Sequence, residues 1–203
     1  MIEYAARHSD KLLSATLEHL EIVVITLLIS LVVAALLTVV CSYSRALSRA
    51  LLNLFSMVYS IPSLALLALL IPVTGLGRRT AIIVLVIYNQ YLLLRNFLAG
   101  LDGVDPGVLE AAAGMGMTHM QRLVMVQAPL AKGAIVAGLR IALVSTVGIA
   151  TIAACINAGG LGAILFDGLR TMNVAKILWG SLLSAVLAIG IDRLLAAAER
   201  RAR

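Results

Sequence analysis

From Ile22 to Ser44 the chain carries no Asp, Glu, Lys or Arg, and most of that run is Val, Leu, Ile and Ala. A run of about 20 apolar residues is long enough to cross the roughly 30 Å hydrocarbon core of a bilayer as a helix, which bonds all its backbone polar groups internally. A soluble fold would have to bury such a helix on every side, and the rest of the chain supplies too little polar surface. It is 62% hydrophobic and 13% charged, with a mean hydropathy of +1.05, against roughly 45–50% apolar and about 25% charged in soluble domains. The fold class is therefore all-α integral membrane. The 203 residues allow about five or six spans in one membrane domain, with no room for a separate soluble one.

The pattern predicts five spans: Leu20–Val40, Leu51–Val73, Thr80–Ala99, Ala134–Ile156 and Ile177–Leu195. Pro62 inside the second removes a backbone hydrogen bond and predicts a kink. Tyr88-Asn89-Gln90-Tyr91 place polar groups deep in the third, where they should face protein or water. The fourth is rich in Ala, Gly, Ser and Thr, which permits close helix packing. Residues 161–170 are apolar but too short to cross, and suit a re-entrant or interfacial segment. Residues 1–19 predict an extracytoplasmic interfacial helix, with no cleavable leader expected. Residues 20–195 form the membrane domain, containing a loop at 102–132, and 196–203 form a basic cytoplasmic tail.

Charge orients the chain. With the 102–132 loop inside, Arg45, Arg49, Arg95, Arg122, Lys132, Arg140 and the tail arginines lie inward, against Arg7, Lys11, Arg78, Arg79, Arg170 and Lys176 outside. Five spans then put the amino terminus outside and the carboxyl terminus in the cytoplasm. The net charge of +6 comes from loop anchors, so a nucleic-acid partner is excluded. Cys41 and Cys155 read as buried thiols. His8, His19 and His119 have no ligand-spaced partners and read as solvated or interfacial, so no metal is expected. Asp192-Arg193 reads as a pair at the membrane edge.

The longest polar interruption is Glu110–Pro129, EAAAGMGMTHMQRLVMVQAP. It predicts two short helices broken near Gly114-Met115-Gly116, an Ala-rich run opening on a carboxylate, then a Met-rich amphipathic run stopped by Pro129. Glu110 would lie early in the first helix, where a carboxylate favours the helix dipole. Read by itself, the segment either presents a surface to a partner, or Glu110 only stabilises a helix end while the methionines fill core.

Glu110-Ala111-Ala112, then Gly116, then Val126 and Ala128-Pro129 keep the spacing of the cytoplasmic loop shared by the inner-membrane permeases of binding-protein-dependent ABC importers. The chain resembles that family, with Val126 and Ala128 where Ile and Leu are usual. From about residue 58 it is similar to the osmoprotectant permeases. That likeness lies in Tyr59-Ser60-Ile61-Pro62-Ser63-Leu64-Ala65, Gly75-Leu76-Gly77, Leu94-Arg95-Asn96, Gly114-Met115-Gly116-Met117-Thr118, Ala158-Gly159-Gly160-Leu161-Gly162 and the closing Ile191-Asp192 with Ala198-Glu199-Arg200.

The resemblance implies the methionine-importer-like five-span permease fold. It also implies ATPase coupling through Glu110, Ala111, Ala112, Gly116, Val126 and Pro129, with Gly116 as the corner. The implied partners are ABC ATPase subunits, a second permease (the same chain or a paralogue) and an extracytoplasmic binding protein, all in a bacterial inner membrane. The implied solutes are glycine betaine, carnitine, choline or proline betaine.

No phosphate-cradling Gly-x-x-x-x-Gly-Lys-Ser/Thr loop occurs and no nucleophile–base pair stands out. The chain is expected to be non-catalytic and to bind no cofactor, with ATP and Mg²⁺ on the partner ATPase. Tyr59, Ser60, Pro62, Tyr88, Asn89 and Tyr91 are candidates for the translocation path, since aromatic faces attract quaternary ammonium groups; helix packing would use the same residues. Gly159, Gly160 and Gly162 read equally as a gate turn or a span terminator. A permease for methionine or another small polar nutrient is the alternative within the class. An ion-coupled secondary transporter or a structural membrane subunit are rivals outside it, though no inverted repeat or mid-span carboxylate is evident.

Overall fold

The computed structural model describes residues 2–201, with side chains described from 3 to 197. Among the described residues all regular structure is helical. The elements are α1 (Ile2–Arg7), α2 (Ser9–Ser42), α3 (Arg45–Ser60), α4 (Ser63–Thr74), α5 (Arg78–Asp102), α6 (Pro106–Gly114) and α7 (His119–Arg122). A π turn (Leu123–Gln127) leads into α8 (Ala128–Leu130); α9 (Lys132–Ile152) ends in a 3-10 turn (Ala153–Ile156), followed by α10 (Leu161–Arg170) and α11 (Val174–Arg201).

Four of these are long and apolar enough to cross a membrane: Ser9–Ser42, Arg78–Asp102, Lys132–Ile156 and Val174–Ala197. They match the first, third, fourth and fifth predicted spans. The second differs. Instead of one kinked helix over Leu51–Val73, α3 and α4 form a broken pair that meets at 98°. Proline explains the break, because its ring pushes the preceding residue out of the helical region; Ile61 sits at φ −68°, ψ 131°. The amino-terminal boundary differs too. Helix breaks at His8 and then runs unbroken from Ser9 to Ser42, so residues 9–19 share one helix with the first span.

Helix α5 is the hub, packed against α2, α3, α4 and α9. The packing follows from where small residues fall. On α2 the buried residues Ala15, His19, Val23, Thr26, Ser30, Ala34, Thr38 and Cys41 recur every three or four positions, a stripe that lets helices approach closely. On the opposite side Leu28, Val32, Leu36 and Val40 are exposed. Between α5 and α9 there is no room for extra atoms: a Cβ on Gly138 would stand 2.6 Å from the Asn96 Cβ, and one on Gly100 2.7 Å from the Ala134 Cβ. Ile22, Val23, Leu85, Leu93, Ala142 and Val147 fill the main core.

Polar groups inside this core are bonded across helices. Asn89 is buried, and its Nδ2 donates to Thr146 Oγ1 at 2.9 Å and Ser30 Oγ at 3.3 Å, while Thr146 returns a bond to Asn89 Oδ1. Gln90 Nε2 donates to the Ser30 carbonyl of α2 at 3.4 Å and to the Val86 carbonyl of its own helix at 2.9 Å. Three further expectations are corrected here. His19 is fully buried, with Nε2 3.2 Å from the Val147 carbonyl oxygen, because it lies on the small-residue stripe. Asp192 pairs with Arg140 of α9, at 2.8 and 3.1 Å, not with its neighbour Arg193, because residues adjacent in a helix point apart. Cys41 is buried as expected, but Cys155 is exposed, since the chain leaves α9 in a 3-10 turn there.

Helix α10, about 15 Å long, is too short to span a bilayer. It packs closely on α11, where Gly168 lies against Ile177 and Gly180 against Leu165. Its end is tied by Asp167, which accepts from Lys176 Nζ at 2.7 Å and Arg170 Nη2 at 3.0 Å. The bond from Lys176, aided by Arg170, holds the Asp167 carboxyl below the ordinary carboxylate range. A depressed folded-state value adds stability above the unfolded pKa, and that stability is lost as pH falls through the folded one. The difference in thermal midpoint between the wild type and Asp167→Asn should therefore shrink from about pH 7 to about pH 3. A gap that stays constant would show that the ion pair contributes nothing.

Candidate coupling segment and transport path

The Glu110–Pro129 segment forms the expected two short helices. Helix α6 starts four residues before Glu110, because Pro106 occupies its first turn and the Asp105 side chain caps it by accepting from the Gly107 N–H at 2.6 Å. Asp105 is thus the carboxylate at the helix dipole. Glu110, on the second turn, is exposed and makes no hydrogen bond or ion pair among the described residues, so its charge is available to another molecule. Ala112 is buried and holds the helix to the domain, while Ala111 is exposed beside Glu110.

The corner is a glycine cap. Gly116 has φ +80°, its N–H donates to the Ala113 carbonyl at 2.9 Å, and the Met117 N–H reaches back to Ala112 at 3.2 Å. These two bonds close a helix end that requires a left-handed residue, which glycine adopts without strain. The second helix opens on a reciprocal cap: Thr118 Oγ1 accepts from the Gln121 N–H, and Gln121 Oε1 accepts from the Thr118 N–H.

Pro129 does not stop this helix. The chain stays helical through Leu130 because the preceding turn widens, with the Ala128 N–H bonded to the Leu123 carbonyl five residues back. A wider turn relieves the clash that a proline ring makes in an α-helix.

Two anchors hold the segment against the membrane domain. Leu123 is buried with Leu101 and Ala131. His119, which sequence alone did not connect to anything, has Nε2 2.9 Å from Ser42 Oγ and its ring 4.4 Å from that of Tyr43, at the end of α2. Met115, Met120, Val124 and Met125 remain exposed, and Val126 is half-buried. The segment thus offers an apolar, polarizable surface beside a free carboxylate, on a base fixed to α2 and α5.

The structure gathers three of the path candidates. Tyr59 of α3 packs edge-on to Tyr88 of α5 with centroids 5.5 Å apart, and lies 5.1 Å from Tyr91. The Tyr88 hydroxyl donates to the Ile61 carbonyl, which the break between α3 and α4 has released. Ser60 and Pro62 are exposed at that break. Asn89 stands apart from this cluster, bonded between helices. Arg95, one turn beyond Tyr91, completes the group: its Nη1 donates to the Tyr91 hydroxyl at 3.0 Å, and its guanidinium carbon is 5.9 Å from the ring centroid. Its place four residues after a tyrosine was the available signal.

The Gly159-Gly160-Leu161-Gly162 turn is packed against α2. Gly159 and Gly160 have φ +84° and +72°, and the Gly160 N–H donates to Glu18 Oε2 at 3.0 Å. Next to it, Arg78 forms a two-pronged bond with Glu21 at 2.8 and 3.0 Å. These contacts join the first third of α2, the start of α5 and the turn after α9.

Known proteins are similar to this chain in sequence and in fold. A family model described as "Binding-protein-dependent transport system inner membrane component" matches residues 27–203. The choline transport system permease protein OpuBB of Bacillus subtilis is 35% identical over 201 residues, which cover 99% of this chain and 93% of the relative. The glycine betaine/carnitine/choline transport system permease protein OpuCB of the same organism is 36% identical, covering 99% and 93%. The osmoprotectant import permease protein OsmW of Salmonella typhimurium is 34% identical, covering 96% and 93%. Among solved structures, an inward-facing form of the MetNI methionine ABC transporter superposes with a TM-score of 0.80 at 26% identity, covering 92% of this chain and 95% of that one. An amino acid ABC transporter solved with histidines gives 0.83 at 18% identity, covering 99% and 98%, a likeness of fold. The chain belongs to the inner-membrane component family of binding-protein-dependent transport systems, and is a permease subunit of an ABC importer.

Proposed function

We propose that this permease carries quaternary ammonium osmoprotectants such as glycine betaine, choline or carnitine across a bacterial inner membrane, with Glu110–Pro129 taking the stroke from a partner ATPase. The substrate reading rests on relatives about 35% identical over nearly the whole chain, whose names specify those solutes. A methionine importer is less favoured, because the likeness on that side is 26% identity. The observation that carries the coupling role is the free Glu110 carboxylate on a helix that ends in the glycine corner.

In this mechanism two permeases, identical or paralogous, enclose a path between them. ATP and Mg²⁺ bind the paired ATPases, not this chain, which performs no catalysis. Closure of the ATPases pushes the two coupling segments, and the path opens toward an extracytoplasmic binding protein. His119 on Ser42 and Leu123 on Leu101 pass the movement into α2 and α5. The amino terminus lies outside, and residues 9–19 run into the first span within α2; the membrane domain to residue 195 forms five spans, counting α3–α4 as one broken crossing; and the basic 196–203 tail, whose last residues lie outside the described range, lies in the cytoplasm. The turn at Gly159, Gly160 and Gly162 then sits on the outer side as a gate element.

The tyrosine cluster with Ser60 and Pro62 forms part of the path wall. Arg95 supports this reading. It is exposed roughly 10 Å from the end of α5 at Asp102, and an arginine in a membrane helix is costly against lipid unless it reaches the interface or faces water or protein. Its face therefore suits water or a second subunit. Tyr59→Ala and Tyr91→Ala should each lower uptake of glycine betaine about tenfold, as expected from the loss of a cation–π site worth about 1–2 kcal/mol. Unchanged rates in both variants would remove the tyrosines from the path. A tagged chain should bring an ATPase down with it; a chain purified alone from gentle detergent would argue against the importer assembly.

A further inference from the structure

We infer that Arg95 sorts solutes by their charge distribution, holding the carboxylate of a zwitterion while Tyr59 and Tyr91 hold its quaternary ammonium head. A zwitterion is then passed in preference to a plain cation with the same head group. The inference rests on the quaternary-ammonium reading above and adds a determinant of selectivity inside the membrane.

The chemistry of the two halves is complementary. A quaternary ammonium has no N–H to donate, so aromatic faces are the natural receptor for it. Tyr59 and Tyr91 pack on each other with centroids 5.1 Å apart but are only half-buried, so the outer part of each ring remains accessible. A carboxylate calls for a fork of donors, which a guanidinium supplies and a lysine does not.

Arg95 lies four residues after Tyr91, on the same face of α5, with its guanidinium carbon 5.9 Å from the Tyr91 centroid. One of its nitrogens is engaged by the Tyr91 hydroxyl. No carboxylate pairs with Arg95 among the described residues, so its remaining donors can meet an arriving anion. A solute with a carboxylate a few ångströms from its ammonium can touch both at once. A plain cation on the same rings instead lies beside a fixed like charge.

The test uses the whole transporter, permease with its ATPase and binding protein, reconstituted in proteoliposomes. Uptake of glycine betaine and of choline is measured at equal concentration, and the betaine-to-choline ratio is compared between wild type and variants. Because the binding protein is the same throughout, its own preference cancels. Arg95→Gln should lower the ratio about tenfold, the size expected for one charged hydrogen-bonded contact. Arg95→Lys should give a ratio between those of wild type and Arg95→Gln, since the charge remains but the fork is lost.

A ratio unmoved in Arg95→Gln overturns the inference, even if both rates fall together, because equal losses indicate a structural role. If the wild-type complex moves neither solute, the substrate reading falls and takes the inference with it. If it moves both and only the ratio fails to respond, the inference alone falls. Should glutamine prevent assembly, Arg95→Met, which keeps the apolar stem, gives the same readout with the same expected and overturning results.

Discussion

Gly116→Pro and Glu110→Arg are expected to leave the permease in the membrane at near-normal levels while cutting solute uptake by at least about a hundredfold. The two act differently. Gly116 holds φ +80° and an ideal Cβ there would meet nothing within 4 Å, so space is not the constraint. Proline fixes φ near −65° and removes the N–H bonded to Ala113, so the angle between α6 and α7 must change. The corner is exposed, and the buried anchors Ala112 and Leu123 lie outside it, which is why the domain should still fold. Glu110→Arg leaves the corner intact and reverses a charge that has no partner among the described residues. It should therefore act only on the assembled complex, where ATPase activity would persist without solute stimulation. Gly116→Asn, which tolerates left-handed backbone better than most residues, should retain more uptake than the proline variant. Normal uptake in both Gly116→Pro and Glu110→Arg would refute the coupling role.

Gly162→Ala should have the opposite signature, with little protein reaching the membrane in a folded form. An added Cβ would stand 2.0 Å from the Thr151 carbonyl oxygen and 2.8 Å from the Ala154 Cβ. The first of these is backbone, so no side-chain rotation relieves it, and α10 must separate from the end of α9. Overpacking typically costs about 1–3 kcal/mol and occasionally more; a backbone clash this close belongs at or above the upper end. Gly148→Ala is the control. Gly148 is exposed in the middle of α9 with nothing within 4 Å of an added Cβ, and alanine there should raise stability by up to about 1 kcal/mol. Thermal midpoints in detergent would separate the two substitutions, and equal midpoints would contradict the packing seen at Gly162.

Much of the candidate site was legible because its signals are local. The spacing from Glu110 through Gly116 to Pro129 is a property of consecutive residues, and the two glycines flanking Met115 mark a corner that the backbone duly makes. Glu110 was misplaced along its helix because Asp105-Pro106, a start signal four residues earlier, went unweighed. Pro129 was read as a stop because a π turn, which accommodates it, leaves no mark in the residue pattern. His119 looked unattached since its partners, Ser42 and Tyr43, lie on a different helix. Among the path candidates, Tyr59 and Tyr91 stand out by residue type. Their convergence on each other and on Arg95 depends on how α3 folds back beside α5.

Residue order alone specified a helical membrane permease, the positions of four of its long apolar helices, and the loop that keeps the permease family's spacing. Hydropathy and motif spacing act over neighbouring residues and need no knowledge of distant contacts. Only the tertiary structure decided that Pro62 turns the second predicted span through 98°, that His19 is enclosed, and that Asp192 answers Arg140. It also decided that Glu18 closes on the Gly160 turn. Each of these depends on which helices lie side by side, and in an apolar chain many pairings bury similar surface. Close packing of small residues, and the need to satisfy each polar group away from water, select one of them.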